Sequence, residues 1–184
     1  MLDERIEIRP IQPDDREALA DGIRRMSPQS RYRRFFSPIE RLTDEQLTYL
    51  TDVDHHDHEA LVAVEAGTGR GIGVARFVRS QQDPELAELA VAVADDWHNQ
   101  GVGGTLLQRL TERAREEGIR RFSGFVLEEN RPMLELLGEV QVRDRAAGAV
   151  ELEVELPDEG LGAALREALR AAARGVLRAR LPHR

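Results

Sequence analysis

One acidic residue interrupts the apolar run Leu86-Ala87-Glu88-Leu89-Ala90-Val91-Ala92-Val93, and shortly after it His98-Asn99-Gln100-Gly101-Val102-Gly103-Gly104 crowds three glycines into four positions. Each stretch carries its own chemistry. A carboxylate on a strand that faces a cleft can take up a proton, because burial disfavours its charged form. On the solvent side of a half-exposed strand the same Glu88 would be inert, and spacing alone does not choose between the two. The glycine run follows a strand-like alternation and precedes a helical one. It would present bare backbone N–H groups and the positive end of a helix dipole to a ligand. That is a cradle for an anion such as a pyrophosphate, although a plain strand-to-helix turn also uses glycine. The dipole contributes about 0.3–1 kcal/mol when exposed, so N–H hydrogen bonds must supply most of the affinity.

Two common phosphate-binding motifs are excluded. The dinucleotide fingerprint follows the first strand of a parallel βαβ unit, whereas the strands before this loop read as an antiparallel meander. A Walker loop needs a lysine, and all 26 Lys+Arg residues here are arginine. The chain also lacks cysteine, which removes disulfides, thiolate metal sites and cysteine nucleophiles and fits a cytoplasmic location.

Further candidates surround these. His55, His56 and His58 stand among Asp52, Asp54 and Asp57, where a metal site competes with the simpler reading of a polar loop entering a strand. Arg31, Arg33 and Arg34 flank Tyr32, Phe35 and Phe36, either as an amphipathic packing helix or as a surface for an acidic acceptor. From Gly160 onward six arginines accompany one acid, Glu167, a net +5 that leaves −13 for residues 1–159 within the overall −8. An acidic body favours cationic substrates and argues against nucleic acid, though solubility accounts for it equally. The charged start Met1–Pro10 and the absence of a long apolar run give no support to export or a membrane span.

The elements that must position these residues follow from periodicity. The spacing predicts a strand over Arg5–Arg9, then a helix opened by Pro13 and stopped at Ser27-Pro28. A second helical region follows through 30–36, and a third is capped by Thr43 with Gln46 completing a capping box. Three alternating runs, 59–66, 71–80 and 86–94, read as an antiparallel meander. After the glycines, Leu106, Leu107, Leu110 and Ala114 share one helical face that ends at Gly118. A strand over 119–127, a short helix over 131–138 and a closing hairpin complete an α/β (α+β) core with no internal repeat. In the tail, Leu161, Leu165, Leu169, Ala172 and Val176 alternate with an arginine ladder, predicting an amphipathic helix over 158–184 that packs on the domain or joins a homodimer.

With these residues in view, the chain resembles the GNAT superfamily of N-acetyltransferases, whose pyrophosphate loop reads R/Q-x-x-G-x-G/A. His98–Gly103 takes that place, with His98 departing from the usual Arg or Gln. The stretches Met26–Pro38 and Glu128–Leu134 are similar to the acetyltransferase domain of bacterial Pat-type protein lysine acetyltransferases, and the likeness covers roughly 5–156. The resemblance implies a mostly antiparallel sheet with splayed fourth and fifth strands in residues 1–157. It also implies acetyl-CoA as co-substrate without a metal, held by His98, Asn99, Gln100, Gly101, Val102, Gly103 and Gly104. Main-chain groups near Val91 and Val93 would pair with the pantetheine arm, with Asn130 near the thioester. Acyl transfer needs a neutral amine, which costs a lysine about 4.6 kcal/mol at pH 7. The resemblance gives Glu88 the role of general base. Many relatives use a tyrosine after the fourth helix as the acid. The only tyrosines here are Tyr32 and Tyr49, so either solvent protonates the thiolate or the acyl pocket is rebuilt. A protein lysine is the expected acceptor, with an AMP-forming acyl-CoA synthetase as the first partner to try. A small amine or antibiotic, or an acyl-CoA-binding regulatory module, are the alternatives.

Overall fold

A computed structural model of the chain describes residues 5–28, 31, 40–98, 100–127, 141–146, 149–158 and 160. Strand β1 spans Ile6–Pro10, and a 3-10 turn over Pro13–Asp15 leads into α1, Arg16–Arg25. Helix α2, Asp44–Thr51, starts where the capping box places it: the Thr43 hydroxyl accepts from Gln46 N at 3.2 Å, and the Gln46 side chain accepts from Thr43 N at 3.0 Å. Strands β2 (His58–Glu65), β3 (Gly71–Arg79) and β4 (Leu86–Val93) form the antiparallel meander. Helix α3 (Val102–Glu116), β5 (Arg121–Leu127) and the hairpin β6 (Gln141–Ala146) and β7 (Ala149–Glu155) complete the fold.

All seven strands join one sheet in the order β1-β2-β3-β4-β5-β7-β6, antiparallel except between β4 and β5. The closing hairpin therefore folds back so that its second strand, β7, lies against β5. The second helical region of the sequence reading, the short helix over 131–138 and the tail helix fall outside the described residues, Arg31 and the first few residues after Leu156 excepted.

The sheet separates two unlike cores. On one face, α3 lays down Leu106, Leu107, Leu110 and Ala114, all fully buried, against Leu61, Ala75, Phe77, Leu89, Val91 and Phe122. Gly118, at φ +78°, stops this helix as a residue without a Cβ can. On the other face Ile11, Ala60, Val62, Val64 and Val74 form a smaller cluster with Leu19 of α1.

Candidate functional site

The parallel junction decides the shape of the site. Strands β4 and β5 pair only over Leu86↔Arg121, Ala87↔Phe122 and Glu88↔Ser123, and β5 continues to Leu127 paired with β7 instead. Above Glu88 the two strands therefore diverge. Ala94 N bonds Ile72 O and Ser80 N bonds Leu86 O, both at 2.8 Å, so the even-numbered residues of β4 bond toward β3. Strand alternation then turns the N–H and C=O groups of Leu89, Val91 and Val93 toward the opening. Their side chains pack in the α3 core, so only their main chain is offered.

At the top of β4, the chain passes through a 3-10 turn, Asp95–Trp97, to the glycine run. Gly101 is the N-cap of α3 at φ +82°, a left-handed conformation that glycine adopts at no steric cost. Among the described residues no side-chain hydrogen bond caps the helix at Gly101, and the first N–H groups of a helix, here those of Val102, Gly103 and Gly104, have no partner in its own ladder. A Cβ built on Gly101 or Gly104 would meet nothing within 4 Å, so an open space lies over the loop. These features fit a bound pyrophosphate.

His98 takes a different part from the one its motif position offers. Its Nε2 donates to the Val93 carbonyl at 3.0 Å, tying the loop back to the strand end. Gln100 likewise turns its side-chain amide to Asp96 O at 2.9 Å. Both side chains shape the cradle and leave its N–H groups to meet an anion. Asn99 and Asn130 lie outside the described residues, as do Tyr32, Arg33, Arg34, Phe35 and Phe36.

Glu88 sits at the vertex of the opening, half-buried, on the face away from α3. Directly opposed pairs share a face, so the register His58↔Val78↔Glu88↔Ser123↔Glu153 lays a largely polar row across five strands. One step along, Arg76 occupies the same face, at 2% exposure the largest of the fully buried side chains. Its Nη1 lies 3.0 Å from His58 Nε2 and its Nη2 donates to Leu50 O at 3.0 Å. Because a guanidinium only donates, His58 must accept through Nε2 and carry its proton on Nδ1. Burial first, and Arg76 second, push the His58 pKa down to about 4. Its lone pair is thus committed, and at neutral pH it is not an available base.

Tyr49 of α2 packs against His58 with ring centroids 5.0 Å apart and the planes tilted by 40°. Burial raises its hydroxyl above the usual range, Arg76 opposes that, and the charge of Glu88 adds to it. Sequence reading missed Arg76 and this use of Tyr49. The signal was available: Val74, Arg76 and Val78 alternate onto one face, and a charge between two valines reads as buried.

The other two histidines go elsewhere. His55 Nδ1 bonds Glu59 at 2.8 Å, and His56 Nδ1 bonds Glu117 at the end of α3. The three rings do not converge on one point, and the loop that carries them is held by polar contacts, with the Asp54 side chain accepting from the N–H groups of His56 and His58.

A sheet opened between its parallel pair β4 and β5, with a glycine turn at the head of the following helix, defines a class. The chain belongs to the GNAT acetyltransferases, and the Acetyltransferase (GNAT) domain of that family matches residues 5–142. It is similar to acetyltransferase Pat of Mycolicibacterium smegmatis, at 37% identity over 153 residues, which is 82% of this chain and 45% of that protein. An acetyltransferase of Pseudomonas aeruginosa is 34% identical over 142 residues, 74% of this chain and 76% of that one. The solved GNAT domain of S. lividans Pat superposes with a TM-score of 0.72 at 32% identity, covering 82% of this chain and 90% of that domain. The chain spans less than half the length of the M. smegmatis relative. Among the described residues no helix is long and apolar enough to cross a membrane.

Proposed function

We propose that this chain moves the acetyl group of acetyl-CoA to the side-chain amine of a protein lysine, with Glu88 as general base. The observation that carries the reading is the placement of Glu88 at the vertex of the β4/β5 opening, on the same strand-to-helix unit as the glycine turn whose N-cap, Gly101, makes no side-chain capping bond. Acetyl-CoA supplies an acetyl group activated as a thioester. The N–H groups of Val102, Gly103 and Gly104 hold its pyrophosphate, and the edge of β4 from Leu89 to Val93 pairs with its amide-bearing arm. Glu88 accepts a proton from the incoming amine, which attacks only when neutral. Asn99 and Asn130 complete the proposed donor set.

Similarity to Pat supports lysine as the acceptor, and an AMP-forming acyl-CoA synthetase is the first protein to offer. The acidic body of residues 1–159 suits a lysine with basic neighbours. Because this chain has no lysine, side-chain label on the enzyme itself is ruled out and the assay has a clean background. Radiolabelled acetyl-CoA is incubated with the enzyme and either a lysine protein or a set of small amines. Label on the lysine protein is expected, and a Glu88→Gln variant slows transfer roughly 10²-fold with acetyl-CoA affinity unchanged. Label confined to small amines moves the acceptor to that class. Wild-type turnover by Glu88→Gln at pH 7 removes Glu88 from the chemistry.

A further inference from the structure

The turn that leads into the glycine cradle carries the wrong charge for its ligand. Residues 95–104 read Asp-Asp-Trp-His-Asn-Gln-Gly-Val-Gly-Gly, with two acids and neither arginine nor lysine. A pyrophosphate over the head of α3 brings further negative charge to this stretch. Backbone N–H groups and the helix dipole set only partial charges against it. A whole positive charge has to come from another part of the fold.

Arg70 brings one from the turn between β2 and β3. Its Nη2 donates to Asp96 Oδ2 at 3.1 Å. That turn is held by its own bonds: Glu65 N donates to Arg70 O at 2.8 Å, Arg70 N to the Thr68 hydroxyl at 3.2 Å, and that hydroxyl to the Glu65 carboxylate at 3.0 Å. The other end of the pair is fixed as well. Asp96 O accepts from the side-chain amide of Gln100 at 2.9 Å, and Gln100 directly precedes the Gly101 N-cap, so this acid is tied to the cradle. The Arg70 and Asp96 side chains are 44% and 55% exposed, and an ion pair in such a setting adds little to stability. Its consequence is for the charge of the loop.

We infer, on the reading of this loop as the pyrophosphate site of acetyl-CoA, that Arg70 is a positioning residue which neutralises Asp96 and so lets the cradle accept a multiply charged ligand. It acts through the acid and not on the reacting atoms.

The experiment measures acetyl-CoA affinity by calorimetry at pH 7 and low salt for wild type, Arg70→Gln, Asp96→Asn and the double variant. Arg70→Gln leaves the acid uncompensated and weakens binding about fivefold, the size expected of one unit charge acting on two others across solvent. Asp96→Asn strengthens binding by a similar factor. The double variant, again neutral at this pair, returns to within about twofold of wild type. In 1 M salt the differences collapse, because screening shortens the field to about 3 Å. Acetylpantetheine, which has the thioester but no phosphate, reacts with equal kcat/KM in wild type and Arg70→Gln, whereas a merely structural role would lower the rate with both donors.

Unchanged acetyl-CoA affinity in either single variant overturns the inference. So does a loss in Arg70→Gln that the double variant keeps, or an equal loss with acetylpantetheine. Should Arg70→Gln fail to fold, Asp96→Asn decides alone. Gly104→Ala keeps the two readings apart. Weakened binding in Gly104→Ala beside full affinity in Arg70→Gln removes only the role of Arg70, whereas full affinity in Gly104→Ala removes the loop itself as the phosphate site.

Discussion

The two faces of the sheet each bury a charge, and they handle it in opposite ways. Under α3, Glu59 is 2% exposed and accepts from Ala60 N at 2.9 Å, His55 Nδ1 at 2.8 Å and Arg113 Nε at 3.4 Å. Arg113 is in turn bonded to Glu116 and Glu117 of its own helix. That network is closed within one corner of the fold and fastens the β2 entry loop to α3. Under α2, Arg76 is as deeply buried, but it lies one step from the polar row through Glu88 that runs to the β4/β5 opening. A closed network spends its hydrogen-bonding capacity on stability. A row that reaches an opening keeps one charged group accessible, which is what proton transfer needs.

The largest expected effect tests the structural face. Leu107→Ala removes a fully buried side chain from the α3 core and should lower unfolding free energy by about 2–5 kcal/mol in denaturant titrations. The folded fraction should keep its acetyl-CoA affinity. If affinity also collapses, the α3 core sets the cradle and the division of the faces is too sharp.

Acid comes next. His58 titrates near 4 in the folded protein against about 6.5 when unfolded, so between these values the unfolded chain binds the extra proton. Stability contributed by neutral His58 is therefore complete above about 6.5 and is lost as pH falls toward 4. His58→Gln retains an acceptor for Arg76 but has no proton to take up. Its stability should stay flatter over this window, and an unchanged slope would mean that His58 is not the group responsible.

Third, Gly104→Ala separates fold from binding. The added methyl meets open space, so folding is unharmed or slightly favoured by helix propensity. With a pyrophosphate over the loop the same methyl obstructs it, and calorimetry should record a loss of about tenfold, or ~1.4 kcal/mol. Full affinity would place the anion elsewhere.

The smallest effect concerns α2. Thr43→Ala removes the cap and should cost about 1 kcal/mol. Loosening the helix that carries Tyr49 should raise KM for the acceptor and leave acetyl-CoA binding as it was. An effect on both substrates alike would dissolve the distinction between the two halves of the site.

Much of this was legible in local pattern. The capping box of α2, the apolar face of α3 and the glycines at its head are set by residues within one turn of each other, and they appear where their spacing puts them. Strand alternation likewise placed the meander within a residue or two at its ends. Glu88 could be singled out as an acid in an apolar run, but not given a direction. Which way it faces depends on the register of β4 against β3 and β5, and a shift of one residue would have turned it into the α3 core. The motif position of His98 was legible as well, while the turn of its ring onto Val93 was not.

What the chain order determined, then, is the set of local elements and the bare backbone at the head of α3, because hydrogen bonds between near neighbours and the freedom of glycine need no distant partner. Only the tertiary structure decided that β4 and β5 part above Glu88, that β7 rather than β6 lies against β5, and that Arg76, His58 and Tyr49 gather on the face that carries Glu88. Those outcomes depend on pairings between residues far apart in the chain, and a burial energy shared among strands leaves no mark on any one of them alone.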